Sequence, residues 1–103
     1  PSPGGDEVEV HFVYGDWCGH SKRAKPAFQE LVSGGPVQSD SGKNVTFVMT
    51  DDKSPGMEMF KGKVRGFPTY MVVMKSGGNV TGMTELQVKS RSAQDVMAAA
   101  KAL

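Results

Sequence analysis

Apolar positions along this chain follow two periods. Val8, Val10, Phe12 and Tyr14 alternate with other side chains, so Glu7 to Tyr14 reads as a strand with one face toward a core. Gly15 and Asp16 turn the chain. The period then becomes helical, with Ala24, Ala27, Phe28, Leu31 and Val32 on one side of a helix from about Gly19 to Ser33. Gly34-Gly35-Pro36 stops it, and Val37 to Lys43 reads as a polar loop. Alternation returns at Val45, Phe47 and Met49, which marks a second strand from Asn44 to Thr50. Ser54-Pro55 sets a cap and a first-turn proline before a short helix that carries Met57, Met59 and Phe60 and ends near Gly62. A third strand runs from Tyr70 to Lys75, Ser76-Gly77-Gly78-Asn79 is a hairpin turn, and a fourth strand covers roughly Val80 to Val88. Ser92 opens the last helix, with Asp95 placed for a shortened capping box and Val96, Ala99, Ala100 and Leu103 as its apolar stripe. Pro1 to Asp6 is a Pro/Gly-rich stretch and reads as a loose lead-in.

The order β-α-β-α-β-β-α predicts a minimal α/β domain with a mixed four-stranded sheet and helices on both faces. The first helix joins two strands that are expected to be parallel, through a right-handed crossover. The glycine hairpin joins two antiparallel strands. At 103 residues the chain is read as one domain, 1–103, with one modest core. A net charge of +1, with the charges spread out, gives no footprint for nucleic acid or a membrane surface. No apolar run approaches the roughly 18 residues of a membrane span. The start at Pro1 rather than Met reads as a processed or excised piece.

One cysteine is present, which excludes an intrachain disulfide and leaves too few thiols for a Cys-rich zinc site, so no metal is expected. Its position is informative. Cys18 follows an apolar strand and opens the first helix, where the positive end of the helix dipole favours the thiolate, the nucleophile of thiol–disulfide exchange. His20 falls in the first helical turn, where an imidazolium stabilises that thiolate.

The segment Trp17-Cys18-Gly19-His20-Ser21-Lys22 resembles the Trp-Cys-Gly-His-Cys-Lys of the catalytic domains of protein disulfide isomerase, which have a thioredoxin-like fold. Val64-Arg65-Gly66-Phe67-Pro68-Thr69 resembles that family's Val-Arg-Gly-Tyr-Pro-Thr with its cis-proline. Pro26 stands eight residues after the cysteine, where the family kinks its active-site helix. The resemblance covers nearly the whole chain and implies the thioredoxin-like fold with Cys18 as nucleophile.

It implies further that the backbone of Phe67 pairs with an extended peptide beside Cys18. Trp17, Gly19, Gly66, Phe67 and Pro68 would form the substrate-binding surface, and Pro68 would exclude metal from the thiol. In the family the second cysteine resolves the mixed disulfide. Ser21 stands there, and a hydroxyl cannot do this, so another thiol must release the substrate: glutathione, or a second cysteine of the client. Arg91 lies near the helix boundary where the family keeps an arginine that swings toward the active site. The family's buried acid, six residues before the nucleophile, is replaced by Phe12, and its lysine partner by Met49. Glu9 and His11 are expected to face solvent. Loss of the resolving thiol together with its proton shuttle favours a natural single-thiol protein over an engineered serine.

The expected function is thiol–disulfide isomerisation or oxidoreduction of cysteine-containing protein clients through Cys18, with His20, Ser21 and Arg91 beside it. No organic cofactor is expected, with glutathione as a possible co-substrate. A monomer is expected, in the endoplasmic reticulum lumen or another secretory compartment, with the cytosol left open. Two alternatives are a non-catalytic module that holds clients covalently, and a single-thiol glutaredoxin-like protein, whose Cys-Gly-Phe-Ser resembles Cys18-Gly19-His20-Ser21. Asn44-Val45-Thr46 and Asn79-Val80-Thr81 both have the form of glycosylation acceptors, the hairpin one being the more credible.

Overall fold

The computed structural model describes residues 6–103. The lead-in over residues 1–5 lies outside them, and Asp6 belongs to the first strand rather than to that lead-in. The elements are β1 (Asp6–Tyr14), α1 (Gly19–Ser33), β2 (Val37–Gln38), β3 (Asn44–Asp51), a 3₁₀ turn (Pro55–Phe60), β4 (Thr69–Ser76), β5 (Asn79–Glu85) and α2 (Ala93–Lys101). They form a thioredoxin fold: a mixed sheet in the order β2-β3-β1-β4-β5, flanked by helices. β1 runs parallel to β3 across α1 and antiparallel to β4.

Among the described residues the sheet has five strands, not four. The fifth is β2, inside the segment read as a polar loop. Its two residues pair antiparallel with Asn44 and Val45 on the edge of β3. A two-residue strand is too short for alternation to show. The second helix is also different. Pro55–Phe60 makes a single 3₁₀ stretch, and the Ser54 hydroxyl donates to the Asp51 carbonyl at 2.7 Å instead of capping it. β5 ends at Glu85 rather than near Val88. Leu86 then turns inward, its N–H donating to the Tyr70 carbonyl at 2.8 Å, and the chain leaves the sheet toward α2.

The two faces of the sheet bury different things. Val8, Val10, Phe12 and Tyr14 of β1 pack with Val45 and Phe47 of β3 and Tyr70 and Val72 of β4 against Ala24, Phe28 and Leu31 of α1 and Val96 and Ala100 of α2. On the opposite face Val13, Met71 and Val73 pack against Phe60 of the 3₁₀ turn. His11 shares this second face. It is 5% exposed, not solvent-facing. Its Nδ1 lies 2.7 Å from the Thr50 hydroxyl, its Nε2 lies 2.8 Å from Glu9, and its ring meets Phe60 edge-on at 5.1 Å. Glu9, half-buried, is paired in turn with Lys75 at 3.1 Å.

α2 is capped as its sequence predicts in one half only. The Ser92 hydroxyl accepts the Asp95 N–H at 3.2 Å, but the Asp95 carboxylate takes the Ser90 hydroxyl at 2.7 Å, and Ser90 in turn accepts the Ser92 N–H. Gly77 and Gly78, with φ of 59° and 85°, make the tight hairpin between β4 and β5. Among the described residues no helix is long and apolar enough to cross a membrane.

Candidate functional site

The end of β1 and the start of α1 are tied into one compact turn. Cys18 N–H donates to the Gly15 carbonyl at 2.9 Å, and the Cys18 carbonyl accepts the Lys22 N–H at 3.0 Å as α1 begins. Cys18 is the extended residue immediately before the helix, so its thiol meets the free N–H groups of the first turn. Gly15 leaves room for the Trp17 indole to lie back over the turn: a Cβ on it would come 2.6 Å from the ring, which would have to shift. Trp17 is held outward across the turn. Its Nε1–H donates to Asp52 at 2.8 Å, and its ring meets Phe67 edge-on at 5.4 Å.

The loop before β4 brings its residues to the thiol. The Phe67–Pro68 peptide is cis. The Phe67 carbonyl lies 3.6 Å from Cys18 Sγ, within reach of an S–H donor. The Thr69 hydroxyl closes the turn on the Gly66 carbonyl at 2.6 Å. Gly66 is exposed with open space around it, and Phe67 and Pro68 are half-buried. Cys18, Trp17, Phe67 and Pro68 thus form one continuous surface.

The Cys18 thiol is held below its ordinary pKa. The backbone N–H of Ser21 contributes most. Partial burial opposes it, and the His20 N–H, the Ser21 hydroxyl and the positive charge of Arg91 add to the lowering. His20 therefore acts on the sulfur through its main chain. Its ring is turned to Arg23, whose Nη2 lies 3.2 Å from Nδ1. A guanidinium only donates, so Nδ1 is the accepting atom of this contact.

Ser21 is 1% exposed. Its Oγ accepts the Gly15 N–H at 3.2 Å. The Ser21 side chain therefore stays inside and stitches the turn. Below it, Phe12 and Met49 are register partners on adjacent strands, so the two positions where the isomerase family carries its buried acid and lysine lie side by side and both are apolar. The Phe12 ring lies 5.1 Å from Phe28 and 5.4 Å from Tyr70. Tyr70 has the one buried side-chain polar atom without a hydrogen-bond partner among the described residues, and burial raises the pKa of its hydroxyl.

Arg91 stands at the junction of two grooves. One, of about 460 Å³, runs from Pro68, Thr69 and Tyr70 along the segment between Glu85 and Arg91. The other, of about 390 Å³, runs between the first turns of α1 and the Ser90–Ser92 segment. Three contributors carry no strong sequence signal. Arg23 reads as a solvated helix residue, although its place three after His20 puts it on the same side. Asp52 lies on an unremarkable loop and meets Trp17 only in the fold. Gly15 looks like any turn glycine. Among the described residues no group of three His, Cys, Asp or Glu side chains is placed to hold a metal ion.

A cysteine at a helix start beside a cis peptide bond, on a β-α-β core with an added hairpin and helix, defines a thioredoxin-fold domain of the thiol–disulfide redox class. The thioredoxin family model matches residues 6–99, and the chain belongs to that family. Solved structures agree in fold. The first thioredoxin domain of mouse protein disulfide-isomerase A4 is similar over 92% of this chain and 61% of its own, with 22% identity and a TM-score of 0.64. The Trx4 domain of ERdj5 is similar over 92% of this chain and 77% of its own, with 20% identity and a TM-score of 0.61. Zinc-bound human ERp44 is similar over 94% of this chain but only 25% of its own, with 21% identity and a TM-score of 0.58. The chain spans 40% of the J-Trx1 fragment of ERdj5.

Proposed function

We propose that this domain forms and exchanges mixed disulfides with cysteine-containing protein clients through Cys18 alone. One observation carries the reading. A single thiol of lowered pKa sits at the start of α1, 3.6 Å from the backbone of Phe67, while the residue one turn on, Ser21, is buried and bonded to the main chain. Cys18 attacks a client disulfide. The client's cysteine-bearing segment lies along Phe67 and Pro68, with the Trp17 ring on one side and the groove lined by Pro68, Thr69 and Tyr70 on the other. Ser21 supplies no second thiol, so the client leaves when one of its own cysteines, or a small thiol such as glutathione, attacks the mixed disulfide. The first route is isomerisation. Arg91 contributes positive charge near the sulfur. Resemblance to disulfide-isomerase domains supports a secretory compartment.

The buried, bonded Ser21 also favours a second reading, a module that retains clients covalently with little turnover. Recovery of a scrambled disulfide protein in glutathione buffer separates the two. Isomerisation requires recovery several-fold faster than buffer alone and none above buffer with Cys18→Ala. Recovery equal to buffer, with client trapped on Cys18, favours retention. Insulin reduction without added glutathione is expected to be weak in either case.

A further inference from the structure

The groove between α1 and the segment before α2 has a composition that disulfide exchange with a protein client does not use. Its walls include His20, Arg23, Ala24 and Ala27 of α1 and Arg91 and Ser92 across from them. It shares no residue with the Trp17–Phe67–Pro68 surface. Two guanidinium groups face it and no carboxylate lines it. Among the described residues neither Arg23 nor Arg91 has an acidic partner within ion-pairing distance; Arg23 is bonded only to His20 Nδ1. The nearest acid of α2, Asp95, is occupied by Ser90. Two unpaired arginines over a small apolar floor make a site for carboxylates, which guanidinium groups bind through paired N–H donors. The volume of about 390 Å³ lies in the range of about 300–1,000 Å³ typical of small-molecule sites and is small for a protein segment.

We propose that this groove binds the resolving co-substrate, a small thiol bearing carboxylates, with Arg23 and Arg91 as its anchors. The inference rests on the mixed-disulfide reading and deepens it. The two grooves share only Ser90 and Arg91, so the small thiol is held against His20, Arg23, Ala24 and Ala27 while the client lies along Phe67 and Pro68. The bound thiolate attacks Cys18 Sγ. A new disulfide forms between Cys18 and the small thiol, the bond between Sγ and the client sulfur breaks, and the client leaves as a thiolate. A second small thiol then attacks the first one's sulfur. Cys18 leaves as thiolate, and the two small thiols depart as their disulfide. Glutathione, with two carboxylates, is the probe.

The test loads Cys18 as its thiopyridyl disulfide and follows release of the thiopyridone by glutathione and by glutathione diethyl ester. Arg23→Gln and Arg91→Gln are expected to slow glutathione about threefold each and about tenfold together, the range set by exposed carboxylate–arginine pairs. The ester, lacking the carboxylates, should change little, so the ratio of the two rates removes any effect of Arg91 on the sulfur itself. In the unaltered protein, added salt should slow glutathione and spare the ester. Equal losses for both thiols, or none, overturn the subsite while leaving exchange at Cys18 intact. Loss confined to an acidic client-peptide thiol also overturns it and assigns the groove to the client. Failure of Cys18 to load overturns the exchange reading and the subsite with it.

Discussion

The two faces of β1 make an instructive contrast. Toward α1, Phe12 is fully buried among the rings of Tyr14, Phe28 and Tyr70. Toward the 3₁₀ turn, one residue away, His11 is buried in a chain of polar contacts from Thr50 through Glu9 to Lys75. The buried imidazole and the carboxylate bonded to it thus lie on the opposite face of the sheet from the Phe12 cluster, whose only titratable groups among the described buried residues are the hydroxyls of Tyr14 and Tyr70. Thiolate stabilisation must come from above, from the main chain of the first helical turn and from Arg91. On the proposed mixed-disulfide reading, release of a client then falls to a thiol from outside the chain.

The largest test breaks the apolar face. Phe12→Ala removes a fully buried ring from the centre of the aromatic cluster and should cost about 3–5 kcal/mol in stability, measured by urea unfolding. A loss below about 1 kcal/mol would mean that the α1 face is not the packed core described here. A second test asks whether this face limits chemistry. Ser21→Cys places a thiol one helical turn from Cys18, but without a proton acceptor beneath it. It should shorten the mixed-disulfide lifetime only modestly, and adding Phe12→Glu with Met49→Lys should shorten it further, at a cost in stability from burying the pair. If Ser21→Cys alone releases client as fast as an ordinary dithiol domain, the apolar face is not limiting.

These tests also mark what the sequence could show. The thiol was legible from its local place at a helix start, whereas the serine three residues on and the proline before β4 stood out only through the resemblance of their motifs to disulfide-isomerase domains. Phe12 was legible because alternation on β1 is strict. The same alternation misplaced His11. Period two assigns its face, but only the fold shows that a short 3₁₀ turn lays Phe60 over that face. β2 was illegible because two residues carry no period. Arg23 was not singled out because nothing local marks the Ser90–Ser92 segment as its neighbour across a groove.

The polar face yields a pH test of intermediate size. Burial lowers the His11 pKa, partly offset by Glu9, so the folded protein favours the neutral ring. In that form His11 accepts the Thr50 hydroxyl at Nδ1 and donates Nε2–H to Glu9. The unfolded chain binds a proton near the ordinary histidine value of about 6.5. Between that value and the lower folded one, unfolded chains carry more protons, so stability falls as pH drops through this window. Burial raises the Glu9 pKa, but the bonds from His11 and Lys75 outweigh it and the net direction is down. Its contribution is present above the ordinary carboxylate value and is lost at more acid pH still. Urea midpoints from pH 7.5 to 5 should therefore decline, and His11→Phe should flatten that decline. An unchanged slope in His11→Phe would show that the buried imidazole is not its source.

The smallest effect sharpens the contrast most. If thiolate stabilisation comes from the helix start rather than from a nearby imidazolium, the His20 ring should matter little. Its Nδ1 is engaged by Arg23, and its influence on Cys18 runs through its backbone N–H, which alanine retains. Alkylation rate against pH should place the Cys18 thiol below the ordinary cysteine value in the unaltered protein. His20→Ala should leave the midpoint nearly where it was, since loss of the ring also frees Arg23 to turn its charge elsewhere in the groove. Arg91→Gln should move it upward by more than His20→Ala does, because Arg91 acts on the sulfur through charge. A large upward shift with His20→Ala, and none with Arg91→Gln, would return the main role to an imidazolium beside the thiol. The ring would then have to be turned from Arg23 toward Cys18 when charged.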